Sequence, residues 1–181
     1  MPFSFTKLPL EGLVLVEPTV FTDGRGFFLE SYKESDFAAA GIDERFVQDN
    51  HSLSQKNILR GLHFQRAPKA QGKLVRVISG TVWDVAVDIR EDSPTFKRWH
   101  GVELSAENKL MLYIPPGFAH GFVALTDDVH LLYKCTEEYD AALDTGIRWN
   151  DQDLAIDWPV DEPVLSPKDE ELPMLRVMGD G

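Results

Sequence analysis

The chain has 181 residues, 43% of them apolar, which is the size and composition of one domain with a sizeable core and excludes a disordered chain. Thirty acidic against 18 basic residues give a net charge of −12, which argues against nucleic acid as the main partner but leaves room for a small phosphate site with a few local cations. The single cysteine, Cys135, excludes an internal disulfide, the N-terminus lacks the basic and apolar regions of a signal peptide, and no run approaches ~20 apolar residues, so a soluble cytoplasmic protein away from membranes is expected.

In chain order, strands are expected over residues 13–17, 27–32, 46–52, 73–78, 81–89, 97–104, 111–114, 121–124 and 129–136, separated by Gly, Pro, Asn and Asp. A short helix is expected at residues 35–40, which open on cap-type residues and stop at Gly41. The segment 81–89 alternates Trp83, Val85, Val87 and Ile89 with Val82, Asp84, Ala86 and Asp88, the pattern of a half-buried strand. Ser79-Gly80 before it predicts a hairpin with residues 73–78. Residues 151–166, rich in Asp and Pro, are expected to run over the surface. Ser166 and Pro167 then read as the N-cap and first position of a second helix, followed by an exposed tail after Leu172. Many short strands with little helix and no linker predict an all-β single domain over 1–181, most simply a jelly roll.

The chemistry concentrates in RGLHFQ and QGKLVRV. An unperturbed imidazole can accept a proton at neutral pH, which makes His63 a candidate base, and Arg60, Lys73 and the adjacent Gly61 set it apart from an ordinary core histidine. Arg offers a fork that fits phosphate, while Lys is a point charge suited to an enolate oxygen. A metal reading is weighed against this. His63 is followed two residues on by Gln65, not a second histidine, and His63, His120 and an amide make a poor site for a divalent transition metal. Arg25, between two glycines, reads as a binding-loop cation or a solvated charge. Tyr133 shares a strand face with Leu131 and Cys135, so it is either a core tyrosine or a phenol placed to give a proton. Tyr139 has the flanks of a residue that stacks on a base. Asp169 is either an exposed acid at a helix start or a carboxylate that orients His63.

Eight motifs in unbroken order carry a family resemblance: RGFFLE, VQDNHS, RGLHFQ, QGKLVRVISG, SPTFKRW, IPPGFAHGF, GIRWND and SPKD. Together, from about Leu13 to Asp169, they resemble the dTDP-4-dehydrorhamnose 3,5-epimerases. The resemblance implies a cupin-type jelly roll with a core at about 45–137, on which the N-terminal strands and a C-terminal surface segment pack. It also implies a homodimer, no cofactor or metal, and a dTDP-4-keto-6-deoxyhexose substrate in dTDP-L-rhamnose biosynthesis. By position, His63 matches the base, Tyr133 the proton donor, Asp169 the carboxylate behind the base, and Lys73 the group that holds the enolate. Arg25, Glu30, Gln48, Asn50, Arg60, His120 and Lys168 match substrate-binding positions, and Tyr139 the residue that stacks on thymine. Asp144 stands where the family commonly has Glu, so that contact would be made by a shorter acid.

The mechanism the resemblance implies is inversion of C3 and C5 of a 4-keto sugar, with removal of an acidic proton by His63 on one face and its return by Tyr133 on the other. Mono-epimerisation or keto-group migration on a similar sugar, a metal-dependent cupin enzyme, and a sugar-nucleotide binding module are the competing readings.

Overall fold

The short alternating segments pair into two facing sheets. The structure, a computed structural model, describes residues 2–175. In order, the described residues form β1 (Phe3–Lys7), β2 (Val14–Pro18), β3 (Phe21–Asp23), β4 (Gly26–Phe28), α1 (Glu34–Ala39), β5 (Gln48–Ser54), β6 (Leu59–Gln65), β7 (Lys73–Ser79), β8 (Thr81–Asp88), β9 (Trp99–Ser105), β10 (Met111–Ile114), β11 (Phe118–Ala124), β12 (Val129–Cys135), β13 (Asp144–Gly146) and α2 (Pro167–Glu170). One sheet has six strands in the order β1-β2-β10-β7-β12-β5; the other has five, β13-β6-β11-β8-β9. This is the cupin-like jelly roll that the strand pattern and the resemblance predict. Among the described residues, no helix is long and apolar enough to cross a membrane.

Three apolar layers hold the barrel. Between the sheets, Val75, Val77, Leu112 and Ile114 meet Val82, Leu104, Phe118 and Phe122. On the outer face of the five-stranded sheet, Leu59, Leu62, Val85, Val87, Ala119 and Val123 lie under Ile147, Leu154 and Trp158. On the outer face of the other sheet, Val16, Leu74, Met111 and Tyr113 cluster with Phe37 of α1. Phe37 is fully buried and packs against Phe3, Phe5 and Tyr32 with ring centroids 5.0–5.3 Å apart.

The structure corrects several expectations. The predicted hairpin of residues 73–78 and 81–89 is not one, because β7 and β8 belong to different sheets. Gly80, at φ +77°, turns the corner; a Cβ there would lie 2.6 Å from Thr126 Oγ1, and the Thr81 amide donates to that same oxygen at 3.0 Å. A tight turn reads alike in sequence whether it returns along one sheet or crosses to the next. β8 is also not half-buried. Val82 and Ala86 face the barrel interior while Val85 and Val87 sit in the outer cluster, because residues 147–165 cover that face instead of skimming the surface. The strand expected at 27–32 shrinks to β4, which pairs with β3 in an isolated hairpin arm. Helix α1 starts on Lys33 without a side-chain cap, and Ser35 lies inside it. The chain after Leu172 stays packed as far as it is described: the Pro173 carbonyl accepts from the Arg148 amide, and the Leu175 amide donates to Asp151. The rest of the tail, 176–181, lies outside the described residues.

Candidate active site

Strict alternation along β6 would send Arg60 and His63 to opposite faces. The register of β6 against β11 slips between the pairs His120–His63 and Phe122–Arg60, and this irregularity turns both inward. Leu59, Leu62 and Phe64 keep their places in the outer cluster. Gly61 makes the slip sterically feasible. It has φ +124°, and a Cβ there would lie 2.5 Å from the Gly121 Cα and 2.7 Å from the His120 carbonyl oxygen.

His63 Nε2 lies 2.5 Å from Asp169 Oδ1, an acid only 3% exposed. Asp169 is held by the N-terminus of α2, whose cap residue Ser166 accepts from the Asp169 amide at 3.1 Å. Arg148 pins the other end of α2 by donating to the Glu170 carbonyl. Burial alone would raise the Asp169 pKa. Hydrogen bonds from His63, Ser166 and the Gly61 amide outweigh it and hold the carboxyl below its usual range. An ionised Asp169 accepts a hydrogen bond from the imidazole and fixes its orientation.

The facing sheet supplies the other groups. On β7, Lys73 is 8% exposed, and its ammonium donates to the His63 carbonyl at 3.4 Å. Burial lowers its pKa, opposed by Cys135, Asp84 and Asp144. Tyr133 on β12 pairs with Val75 in register, packs against the inner core, and has its ring centroid 5.9 Å from the Lys73 nitrogen. Burial raises the phenol pKa, so the hydroxyl carries its proton at neutral pH.

The remaining predicted residues fall into three groups. Gln48 and Asn50 lie on the inward row of β5: Gln48 donates to Asn50, whose amide donates to Cys135 Sγ at 3.5 Å. Arg60 is tethered to that strand by Ser54 Oγ and the Leu53 carbonyl, each at 3.0 Å. At the rim, Asp144 Oδ2 accepts from Lys168 at 2.5 Å and from the Tyr139 hydroxyl at 3.2 Å, so the shorter acid joins these two side chains to each other. Arg25 and Glu30 are not brought into the cluster. Arg25 sits at the tip of the β3–β4 arm, 91% exposed and paired with Asp23, and Glu30 Oε2 is buried without a hydrogen-bond partner among the described residues.

Asp84 is the functional candidate that sequence reasoning missed. It is fully buried on β8, and His120 Nε2 lies 2.9 Å from its Oδ2. Its signal was legible: an aspartate on the same face as Val82 and Ala86 in an otherwise apolar strand needs a partner. Gln65, weighed as a weak metal ligand, has another job. Its amide donates to the Lys69 and Glu138 carbonyls and its oxygen accepts from the Asp140 amide. Among the described residues, no group of three or more His, Cys, Asp or Glu side chains is arranged to hold a metal ion.

A histidine–carboxylate pair faces a buried lysine and tyrosine across the barrel. This geometry suits proton transfer beside a carbonyl whose oxygen gains charge. The family profile described as dTDP-4-dehydrorhamnose 3,5-epimerase matches residues 7–177. The chain belongs to the dTDP-4-dehydrorhamnose 3,5-epimerase family. Members of this family are isomerases. The Escherichia coli epimerase is 55% identical over 168 residues, covering 92% of this chain and 91% of its own. The Methanothermobacter thermautotrophicus epimerase is 52% identical over 177 residues, covering 96% and 95%. Among solved structures, the Legionella pneumophila dTDP-6-deoxy-D-glucose-3,5-epimerase in complex with dTDP-4-keto-L-rhamnose is 48% identical. It covers 97% of this chain and 94% of its own at a TM-score of 0.94.

Proposed function

We propose that the protein converts dTDP-4-keto-6-deoxy-D-glucose to dTDP-4-keto-L-rhamnose by inverting C3 and C5, as a cytoplasmic step toward dTDP-L-rhamnose. The observation that carries the reading is that His63 stands on the five-stranded sheet and Tyr133 on the six-stranded one. A sugar ring held between them meets a base on one face and an acid on the other.

Both carbons flank the C4 ketone, so their hydrogens are acidified. His63, backed by Asp169, removes a proton from one face, and the electron pair moves onto the ketone oxygen. Lys73 holds the resulting enolate. Tyr133 returns a proton to the opposite face, which inverts the centre. A single group would return the proton to the side it came from. Arg60, Gln48, Asn50 and His120 bind the substrate from the barrel wall. Tyr139, Asp144 and Lys168 bind it at the rim, with Tyr139, 57% exposed, free to stack on the thymine.

The working unit is a homodimer. The β3–β4 arm exposes Phe21, Phe27 and Phe28 at 57%, 62% and 66%, an apolar surface that a second copy would cover, and it carries Arg25 away from its own barrel. Glu30 follows the arm and would meet substrate only in that assembly.

The test is product analysis by NMR after incubation with dTDP-4-keto-6-deoxyglucose in D₂O. Deuterium at both C3 and C5 is expected. Deuterium at one carbon would make the enzyme a mono-epimerase, and migration of the keto group a ketoisomerase; either replaces this reading.

A further inference from the structure

Tyr139 lies in the connection between β12 and β13, outside any strand or helix, and its ring is exposed. An aromatic ring on an open connection presents one face to a ligand only if the backbone that carries it is held. Both peptide groups that flank Tyr139 are held from the barrel. In the group before it, the Glu138 carbonyl accepts from Gln65 Nε2 at 3.1 Å and the Tyr139 amide donates to Gln48 Oε1 at 2.8 Å. In the group after it, the Asp140 amide donates to Gln65 Oε1 at 2.9 Å. Peptide groups are planar, so fixing these two fixes φ and ψ of Tyr139 and leaves only its side chain to turn.

Gln65 makes two of these three contacts. It is 4% exposed, and its amide also donates to the Lys69 carbonyl at 2.6 Å, so both donor protons and the acceptor are engaged. Two carbonyls can only accept and the Asp140 N–H can only donate, which admits one orientation of the side-chain amide. The hold continues beyond Asp140. Its carbonyl accepts from the Leu143 and Asp144 amides, and its carboxylate accepts from the Lys69 ammonium and the Ala142 amide. Asp144 in turn stands opposite Gln65 in the pairing of β13 with β6 and accepts from the Tyr139 hydroxyl. One buried amide thus fixes the backbone on both sides of Tyr139 and, through the Asp140 turn, the acid that steadies its hydroxyl.

We propose that Gln65 is a positioning residue for nucleotide recognition, acting through Tyr139 and not by touching substrate. It presents the Tyr139 ring to the thymine. This rests on the reading of Tyr139 as the residue that stacks on that base.

The experiment is calorimetric titration of wild type, Gln65→Met, Tyr139→Ala and the double variant with dTDP and with inorganic pyrophosphate, together with steady-state kinetics. Gln65→Met should bind dTDP on the order of ten-fold more weakly, within what stacking on an aromatic ring contributes per base. Pyrophosphate affinity should stay at the wild-type value, KM should rise with the dTDP dissociation constant, and kcat should stay near wild type. In the Tyr139→Ala background, Gln65→Met should weaken dTDP no further. Gln65→Glu keeps the length and the acceptor for Asp140 and loses both donors, and the same dependence on background is expected of it. An equal loss in both backgrounds, or a loss of pyrophosphate affinity, would mean that Gln65 supports the barrel as a whole and would overturn the proposal. A fall in kcat with KM unchanged would assign Gln65 to the strand that carries His63 and overturn it too, as would failure of both Gln65 variants to fold. If Tyr139→Ala alone bound dTDP as wild type does, the reading of Tyr139 would fall first, and this assignment with it.

Discussion

Asp169 lies 106 residues from His63 in the chain and 2.5 Å from it in space. The contact needs two separate pieces of local chemistry. Ser166 and Pro167 start α2 and set Asp169 three residues into it, and the β6 irregularity at Gly61 turns His63 inward to meet it. Neither element alone makes the contact; the two together do.

Asp169→Asn should keep the shape of that contact and remove its charge. Turnover is expected to fall about 10²-fold or more, within the range of a general base that has lost its support. KM for the nucleotide sugar should change far less, and the rate of deuterium entry at C3 should fall with kcat. A variant that turns over at the wild-type rate would remove Asp169 from the mechanism.

Tyr133→Phe leaves the ring that packs against the core and deletes the hydroxyl proposed to give the proton. Base and donor act in different half-steps, so this change should separate them. Deuterium exchange at C3 should persist while inverted product falls about 10²–10⁴-fold. Equal loss of exchange and inversion would mean that Tyr133 serves the first step instead.

Lys73 is buried, and burial pushes its pKa below the usual 10.5. The fold therefore bears the cost of the charged form below the depressed pKa, and the cost fades as pH rises from there toward 10.5. Lys73→Met should raise the thermal midpoint at neutral pH, with the gap to wild type closing in alkaline buffer, while activity drops about 10²-fold or more for lack of enolate stabilisation. Midpoints and initial rates across a pH series measure both effects. A less stable Met variant would mean that the ammonium is a net structural asset.

Asp88 is a buried acid that the chemistry does not use. Burial would raise its pKa, but Arg90, Ser93, Thr95 and the Arg90 amide hold it at about 2, from an ordinary 3.8. A depressed carboxyl pKa stabilises the fold above the unfolded value, and that stability is lost as pH falls through the folded one. The difference of 3.8 and about 2 corresponds to roughly 2 kcal/mol, lost between about pH 4 and pH 2. Asp88→Asn should lower stability at pH 7 by roughly 2 kcal/mol, the contribution of the depressed pKa, and flatten the acid limb of the curve. Denaturant unfolding at several pH values checks both.

The sequence by itself determined the all-β class, the approximate place of most strands, the Ser166–Pro167 helix start and the family, because alternation, caps and motifs are local signals. It also marked His63, Lys73, Tyr133 and Asp169 as candidates. Tertiary structure alone decided what these candidates meet. Whether β7 and β8 form a hairpin or a corner depends on partners from β10, β11 and β12, far along the chain. Whether Arg60 and His63 share a face depends on the backbone of β11 pressing on Gly61. The Asp84–His120 pair follows from strand register, not from spacing. Side-chain period is a property of a few residues, while register, burial on a second face and the meeting of a base with its carboxylate are fixed only when distant segments pack.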